Sequence, residues 1–465
     1  MHRLPLVTPA GFSAASWRPS ISVIGEHLMT NRVLIAVLAL VLTVSSGVSL
    51  LGRASIFEST VWEPENQEEL RIIVANGEGQ NYWPNWRGPS GQGVVEGSGY
   101  PDTWSDTENV LWKVPVPGTG HSSPIIWENQ IFLTTASDDG TRLTLLSFDR
   151  GNGKQLWETP VPFDRWEHIH TKNSHASATP VTDGELVYAS FGQQGIMATT
   201  LEGTLVWHNK AEDLDNYHGS AGSPILYKET VIIYQDHRGA SFVAAFDKHS
   251  GEIIWRTERD TGTGWGTPIV IDTGKRDELI VSSQARVNSY DPDTGDEYWT
   301  VGGNLFEVIP TPVVGHGLVF ASSGRAGPTL AIRPGGAGDV TDSHVAWTTQ
   351  KGSPFVPSPI VVGEYLFMIN DMLSIVTNYE ASTGRLVYQG RLGRSSREGF
   401  SASPVAVEGK VFFTNDMGQT FVVEAGPEFA VLHTNELNAQ TLASPALVDG
   451  IWYFRTDREL IAIGK

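Results

Sequence analysis

The stretch PIVVGEYLFMIND, residues 359–371, holds two short apolar runs on either side of a Gly-Glu turn. The same layout returns as PVAVEGKVFFTND at 404–416 and as PALVDGIWYFRTD at 445–457. Each copy is rich in β-branched and aromatic residues and turns at a glycine, which is typical of a β-hairpin. The three copies therefore predict a repeat protein built from β-strands.

Outward from these hairpins, a Ser-Pro or Thr-Pro pair opens every copy of the pattern. Apart from a first interval of 56 residues, neighbouring pairs lie 41 to 47 residues apart, and such a period indicates a propeller or a helical repeat. Four strand-like segments per copy favour the blade of a propeller, and proline suits the first position of an inner strand. The eight prolines are Pro124, Pro180, Pro224, Pro268, Pro312, Pro359, Pro404 and Pro445.

The fourth strand of most copies carries a tryptophan, which can pack between neighbouring blades. The eighth copy has only three strands before Lys465, and residues 109–113, NVLWK, supply a fourth. We predict an all-β fold, an eight-bladed β-propeller of four-stranded antiparallel blades whose last blade is closed by an N-terminal strand. The predicted docking residues are Trp112, Trp157, Trp207, Trp255, Trp299 and Trp347.

Composition excludes several functions. The 465 residues carry a formal net charge of -20, which argues against nucleic acid and anionic lipid as partners of the whole surface. The chain has no cysteine, which excludes disulfides, thiolate metal sites and a catalytic cysteine.

The N-terminal region predicts export. Residues 33–51 are almost wholly apolar between Arg32 and Arg53, so residues 1–54 are either a signal peptide, cleaved after Ala54, or a membrane anchor. Residues 55–80 are predicted as a linker and residues 81–465 as the propeller. We expect a periplasmic or otherwise extracytoplasmic protein, secreted or attached to the inner membrane through this segment alone, with a propeller that is monomeric.

A turn motif carries a family resemblance. Residues 246–255, FDKHSGEIIW, and 290–299, YDPDTGDEYW, resemble the pyrroloquinoline-quinone-like repeat with its tryptophan-docking motif. The segment WPNWRGP at 83–89 is similar to the start of such propellers in exported bacterial proteins, including those of planctomycetes. The resemblance covers about residues 80–465. Its members include quinone-dependent dehydrogenases and the non-catalytic outer-membrane-protein assembly propeller.

The enzymatic members hold pyrroloquinoline quinone with Ca²⁺, using Glu and Asn side chains, and commonly carry a vicinal cysteine pair. No residue of this chain matches those motifs, so no catalytic residue, metal ligand or cofactor is predicted, although the resemblance leaves the quinone with Ca²⁺ open. The cluster Glu167-His168-Ile169-His170, with His175 nearby, is interpreted as a solvated loop.

The loops that lead into each blade's first strand and the loops between strands two and three share one end of a propeller. We expect this end to bind ligands, and arginines in its loops predict a cationic sector suited to a carboxylate. The alternative is that each arginine pairs with an aspartate of the next blade. The candidate residues are His121, His175, His218, His237, Arg238, Trp265, Arg286, Glu307, Arg325, Phe355 and Phe400.

Three functions follow from these observations. The favoured one is a non-catalytic scaffold of the cell envelope that binds an envelope protein or a small anionic ligand. The second is a quinone-dependent oxidoreductase of alcohols or sugars with a cysteine-free site. The third is a carbohydrate- or peptide-binding module.

Overall fold

The computed structural model describes residues 70–74, 77–210, 213–325, 327–394 and 399–465. The predicted signal peptide or anchor and residues 55–69 of the predicted linker lie outside the described residues. Within the described part of the chain, no helix has the length and apolar character to span a membrane. Before the first blade come β1 (Arg71–Ile73), β2 (Val94–Val95) and β3 (Val110–Pro115).

The first four blades follow one another along the chain. Blade one contains β4 (Ile125–Trp127), β5 (Gln130–Ala136), β6 (Leu143–Asp149) and β7 (Gln155–Pro160). Blade two contains β8 (Val181–Thr182), β9 (Leu186–Ser190), β10 (Ile196–Thr200) and β11 (Leu205–Asn209). Blade three contains β12 (Ile225–Tyr227), β13 (Thr230–Gln235), β14 (Phe242–Asp247) and β15 (Ile253–Glu258). Blade four contains β16 (Ile269–Asp272), β17 (Asp277–Ser282), β18 (Arg286–Tyr290) and β19 (Glu297–Gly302).

The remaining blades keep the same order. Blade five contains β20 (Val313–Gly315), β21 (Leu318–Ser322), β22 (Thr329–Ile332) and, after the short β23 (Gly338–Asp339), β24 (Val345–Thr349). Blade six contains β25 (Ile360–Val362), β26 (Tyr365–Asn370), β27 (Ile375–Glu380) and β28 (Leu386–Arg391). Blade seven contains β29 (Val405–Val407), β30 (Lys410–Thr414), β31 (Gln419–Glu424) and β32 (Val431–Glu436). Blade eight contains β33 (Ala446–Val448), β34 (Ile451–Arg455) and β35 (Glu459–Ile463). The short helices are 3₁₀ turns at Gly77–Asn81 and Gly192–Gln194 and α1 at Thr341–His344.

These sheets confirm the predicted eight-bladed, nearly all-β propeller. Each blade is antiparallel from its inner to its outer strand, and β3 pairs with β35 as the fourth strand of blade eight. Val114 lies opposite Leu460 in that pairing. The N-terminal strand therefore joins the two ends of the ring by completing blade eight.

Five of the predicted docking tryptophans place the indole N–H on a backbone carbonyl of the next blade. Trp207 donates to Lys248 at 2.9 Å, and its ring packs on Gly251, where an added Cβ would come within 2.5 Å of the ring. The turn therefore needs glycine because of this close contact as well as its positive φ of 73°. The same arrangement recurs at Trp112, Trp157, Trp255 and Trp347.

Trp299 makes a different joint between blades four and five. It packs into the core shared by these blades, but its indole N–H donates to the buried carboxylate of Glu278, in its own blade, at 2.7 Å. The turn that would receive it is replaced in blade five by a longer loop, and β23 of that loop pairs with β19 beside Trp299. The loop therefore occupies the docking position.

The Ser-Pro and Thr-Pro pairs form a ring of hydroxyls around the channel. The backbone N–H of Ser223 donates to Oγ1 of Thr267 at 3.1 Å, and the N–H of Thr267 donates to Oγ1 of Thr311 at 2.9 Å. Seven such bonds link neighbouring blades among the described residues. We call these eight residues the hydroxyl ring: Ser123, Thr179, Ser223, Thr267, Thr311, Ser358, Ser403 and Ser444.

The eighth position of the hydroxyl ring, between blades eight and one, is closed by Arg455 instead. Its guanidinium donates to the carbonyl oxygens of Ser122 and Thr134 and to the Ser122 hydroxyl. Burial without a carboxylate lowers the pKa of Arg455 to about 9. Arg455 therefore links blade eight to blade one at the position where the described residues show no bond of the hydroxyl ring.

Residues 70–95, apart from 75 and 76, cross the channel at the end opposite the loops that lead into the inner strands; we call them the channel segment. Although Arg71–Ile73 falls in the range predicted as a linker, it pairs with β16, and Ile72 and Ile73 pack against the blade cores. Trp83 pairs with Ile126 of blade one, and β2 pairs with β29 of blade seven. The channel segment is therefore part of the propeller and closes this end.

Candidate functional site

A cavity of about 390 Å³ opens at the end of the channel that carries the loops leading into the inner strands. We call this opening the mouth. All eight residues of the hydroxyl ring line its wall, and Trp86 of the channel segment forms its floor. A volume of this size is in the range of sites that enclose small ligands or a few residues of a peptide.

Aromatic and imidazole rings cover one side of the mouth. His218 stacks on Trp265, with ring centroids 5.7 Å apart, and lies 4.7 Å from the ring of His170. The Trp265 N–H donates to the carbonyl of Gly219 at 2.7 Å, which fixes the indole in place. Desolvation, and next the charge of His170, lower the pKa of His218. The rings of His218 and Trp265 therefore form a packed aromatic wall.

Two arginines lie on aromatic rings beside this wall. The guanidinium of Arg325 lies 5.3 Å from the Phe355 ring, and that of Arg238 lies 4.5 Å from the ring of Tyr217. Arg325 approaches Glu307 only to 3.8 Å and makes no hydrogen bond to any described residue. Stacking holds the arginines in position while their N–H donors remain available.

Lys172 and His121 are the remaining basic side chains of the cavity lining that bear on its charge. Lys172 lies 3.1 Å from the carboxylate of Asp416 and is itself half exposed. Burial, together with the charges of Arg455 and Lys172, lowers the pKa of His121 to about 4. His121 is therefore neutral at physiological pH, and the cations of the wall are Lys172 and Arg325.

The structure brings together six of the residues predicted from the loops: His121, His218, Trp265, Glu307, Arg325 and Phe355 line the mouth, and Arg238 stands beside it. Arg286 does not reach it, because it begins β18 and its side chain lies near Asp260 and Glu297 in another cavity. The cationic sector is thus smaller than expected.

Three other predicted residues lie outside the mouth cavity. Phe400 is fully buried against Phe421 in the core of blades six and seven, so it cannot face a ligand. His237 is buried, and its Nδ1 accepts hydrogen bonds from backbone N–H groups at 3.1 Å. His175 bonds the carbonyl oxygen of Glu167 at 2.8 Å and holds the loop inserted between blades one and two.

Sequence reasoning missed Trp86, Lys172 and Tyr217 as members of the site. Trp86 comes from the channel segment and Lys172 from the long first interval, so neither belongs to the repeat. Tyr217 directly precedes His218 and lies against Arg238. The only signal in the sequence for this contact was that both residues belong to loops at the same end of the propeller.

The mouth does not fit a Ca²⁺-anchored quinone. Ca²⁺ needs six to eight oxygen ligands, mostly carboxylates and carbonyls. Glu307 is the carboxylate lining the mouth, and it already faces Arg325 at 3.8 Å and His218 at 4.0 Å. Nowhere in the described ranges are three or more His, Asp or Glu side chains grouped to hold a metal ion. The donor set favours an anionic ligand over a cation.

The fold and mouth define an eight-bladed propeller with a ligand-sized cavity at one end. Residues 239–465 match the family model described as outer membrane protein assembly factor BamB. Over 178 residues the chain is 28% identical to the outer membrane protein assembly factor BamB of Alkalilimnicola ehrlichii, a match that covers 38% of this chain and 42% of that protein. The predicted resemblance to pyrroloquinoline-quinone-like propellers is confirmed.

Solved structures agree on the fold. BamB from Moraxella catarrhalis has a TM-score of 0.55 at 12% identity, covering 77% of this chain and 97% of that chain. Quinohemoprotein alcohol dehydrogenase from Comamonas testosteroni has a TM-score of 0.60 at 11% identity, covering 83% of this chain and 80% of that chain. At these identities the two likenesses show the propeller fold alone, and they do not separate scaffold from enzyme.

Proposed function

We propose that the chain is a non-catalytic protein-binding scaffold of the cell envelope, exported from the cytoplasm, which receives its partner at the mouth. The family match to an outer membrane assembly factor supports an envelope role. The observation that carries the proposal is the distribution of exposed apolar side chains around the mouth.

Large apolar side chains project from the loops of the mouth end. Phe306 is 49% exposed, Met372 54% and Met417 62%. We call the following residues the mouth rim: Phe163, Trp166, Leu305, Phe306, Met372, Leu373 and Met417. Exposed aromatic and methionine side chains at loop tips mark protein interaction surfaces, because their burial in a complex is favourable.

The opposite end lacks a matching rim. Among the described residues, its loops expose one large apolar side chain, Phe429, and the other exposed apolar residues lie in the outermost strands. The mouth rim also surrounds a cavity, so a partner could combine apolar burial with insertion of a polar group. This combination of apolar anchors around a polar centre supports a protein partner.

Site-specific photocrosslinking in the native cell envelope tests the proposal. A photoreactive phenylalanine analogue at position 306, 372 or 417 is expected to capture a defined envelope protein. The matched control places the analogue at Ile254, which is 55% exposed on an outer strand, and is expected to capture none of it. Capture from Ile254 alone, or from no mouth-rim position, contradicts the proposal.

A quinone-dependent oxidoreductase and a carbohydrate-binding module make different predictions. Stoichiometric binding of pyrroloquinoline quinone with dye reduction would support the former, and saturable binding of a sugar in the mouth would support the latter. The scaffold predicts neither in the purified protein.

A further inference from the structure

The hydroxyl ring presents donors to the mouth cavity. A serine or threonine hydroxyl has one donor hydrogen and two acceptor lone pairs. Seven of the eight oxygens already accept a backbone N–H from the preceding blade. None of the eight donates a hydrogen bond to another described residue, and all eight line the cavity. The wall therefore offers O–H donors and favours a ligand rich in acceptor oxygens.

The charged groups of the mouth point to the same ligand chemistry. Arg325 has no hydrogen bond to a described residue, and its contact with Glu307 is beyond hydrogen-bond distance at 3.8 Å. Arg238 forms no ion pair with a described carboxylate and is held on the ring of Tyr217. Such guanidinium groups bind carboxylates in a bidentate way. In a chain with a net charge of -20, the mouth thus keeps guanidinium N–H donors that no described residue accepts from.

We propose that the mouth receives an acidic peptide segment of the partner, whose carboxylate binds Arg325 and Arg238 while the hydroxyl ring donates to its oxygens. This inference rests on the proposed scaffold function and specifies the chemistry of the partner. The mouth rim contacts the flanking apolar residues of the same partner.

A peptide is favoured over a small anion because of the surroundings of the cavity. The rim residues Phe306 and Met372 lie outside the cavity lining, so a small anion inside would leave them exposed. A segment that enters the cavity can bury them with its flanking residues. The partner therefore needs a carboxylate and adjacent apolar side chains.

Fluorescence anisotropy with a labelled pentapeptide of three Glu and two Leu residues tests the inference. The purified full-length protein is expected to bind this peptide, and to bind the matched peptide with Gln in place of Glu at least tenfold more weakly. Both peptides carry an amidated C-terminus, so that the Glu side chains supply the only carboxylates.

Variants locate the binding. Arg325→Ala is expected to weaken binding at least tenfold and Arg238→Ala several-fold, since both side chains are exposed and neither fills a core. Arg286→Ala is the matched control, because this exposed arginine lies away from the mouth, and it is expected to bind like wild type. Equal binding by Arg325→Ala and wild type, or equal binding of the Glu and Gln peptides, overturns the inference.

The two proposals can fail separately. Crosslinks from the mouth rim without binding of the Glu peptide overturn the acidic-segment inference and leave the scaffold standing. Peptide binding that depends on Arg325, without any crosslink from the rim, overturns the scaffold and leaves a carboxylate site for a free ligand.

Discussion

The two ends of the propeller channel differ in where their unpaired donors lie: at the closed end Trp83 Nε1 and two nitrogens of the Arg87 guanidinium are buried inside the fold, whereas at the mouth the donors face a cavity. At the end crossed by the channel segment, Lys228 pairs with Asp293 at 2.7 Å, and Lys248 pairs with Glu229 at 3.1 Å. At the mouth, Arg325 and eight hydroxyl donors have no partner for their hydrogens among the described residues.

From this difference we expect the closed end to contribute mainly to stability and the mouth to binding. The closed end is held by strand pairing and by buried aromatic side chains such as Trp83, so substitutions there should act on folding. The mouth keeps donors and apolar side chains exposed, which a protein does at a site that is completed by a partner. Substitutions of the mouth rim and of Arg325 should act on binding and leave folding nearly unchanged.

The largest expected effect is at the closed end. Trp83 is buried and packs directly on Gly88, where an added Cβ would come within 2.6 Å of the indole. Trp83→Ala is expected to lower the free energy of unfolding by about 3–5 kcal/mol in chemical denaturation. Trp166→Ala removes an indole that is 52% exposed at the mouth rim and should change stability by less than about 0.5 kcal/mol. Equal losses would contradict this division between the ends.

A smaller loss is expected in the hydroxyl ring. Thr267→Val keeps the shape of the side chain but leaves the buried N–H of Ser223 without its acceptor. We expect a loss of about 1–3 kcal/mol by chemical denaturation. Ser123→Ala is the matched control, because the Ser123 hydroxyl accepts no bond from a described residue of blade eight and should lose less. A greater loss for Ser123→Ala would show that the ring bonds do not join the blades.

The stability of the protein is expected to depend on pH through Glu167, which lies in the inserted loop beside the mouth. Desolvation raises the pKa of Glu167 to about 7, although its carboxylate accepts hydrogen bonds from Ser220. The folded protein then binds this proton more tightly than the unfolded chain, so stability falls as pH rises from about 4.5 through 7. Wild type is expected to lose on the order of 1–2 kcal/mol of its free energy of unfolding over this range because of Glu167, and Glu167→Gln is expected not to show that loss. Chemical denaturation of both proteins at several pH values measures the difference. Parallel pH profiles would contradict the assignment.

The smallest effect is expected at an ion pair on the mouth end. Arg458 lies 3.7 Å from Asp138 across the joint between blades eight and one, and both side chains are mostly exposed. Arg458→Ala should cost less than about 1 kcal/mol in the same denaturation assay, because water screens exposed pairs. Raising the salt concentration should reduce the difference further, and a loss above 2 kcal/mol would contradict it.

Much of the fold could be predicted because each blade repeats one local pattern. The hairpins around residues 359–371 and the strand at 109–113 give the blade and its closure directly. The Ser-Pro and Thr-Pro pairs were visible as well, but their hydrogen bonds join residues 41 to 56 positions apart, so their role appears only in the closed ring.

The channel segment could not be predicted from a pattern. Residues 71–73 pair with residues 270–272, about two hundred positions later, and three residues are too few to show the alternation of a strand. The different contact of Trp299 could not be predicted either, because it is determined by the long loop of blade five and not by the tryptophan itself.

The candidate site was predicted in part because loop position follows from repeat register. Register placed Arg325 and Arg286 in equivalent loops, yet only Arg325 reaches the mouth. The direction of the Arg286 side chain depends on the residue at which β18 begins. That starting residue can differ between blades without changing the repeat period. Phe400 does not face the mouth for a related reason, since its loop folds inward and buries the ring.

The most direct test of the mouth as the binding end is the affinity of the partner captured by crosslinking. A mouth-rim variant, Phe306→Glu with Met372→Glu, is expected to bind that partner at least tenfold more weakly than wild type with an unchanged unfolding midpoint. The closed-end variant Lys228→Glu, whose side chain is exposed beside Asp293, is expected to bind like wild type. Loss of binding in Lys228→Glu together with full binding by the mouth-rim variant would contradict the account.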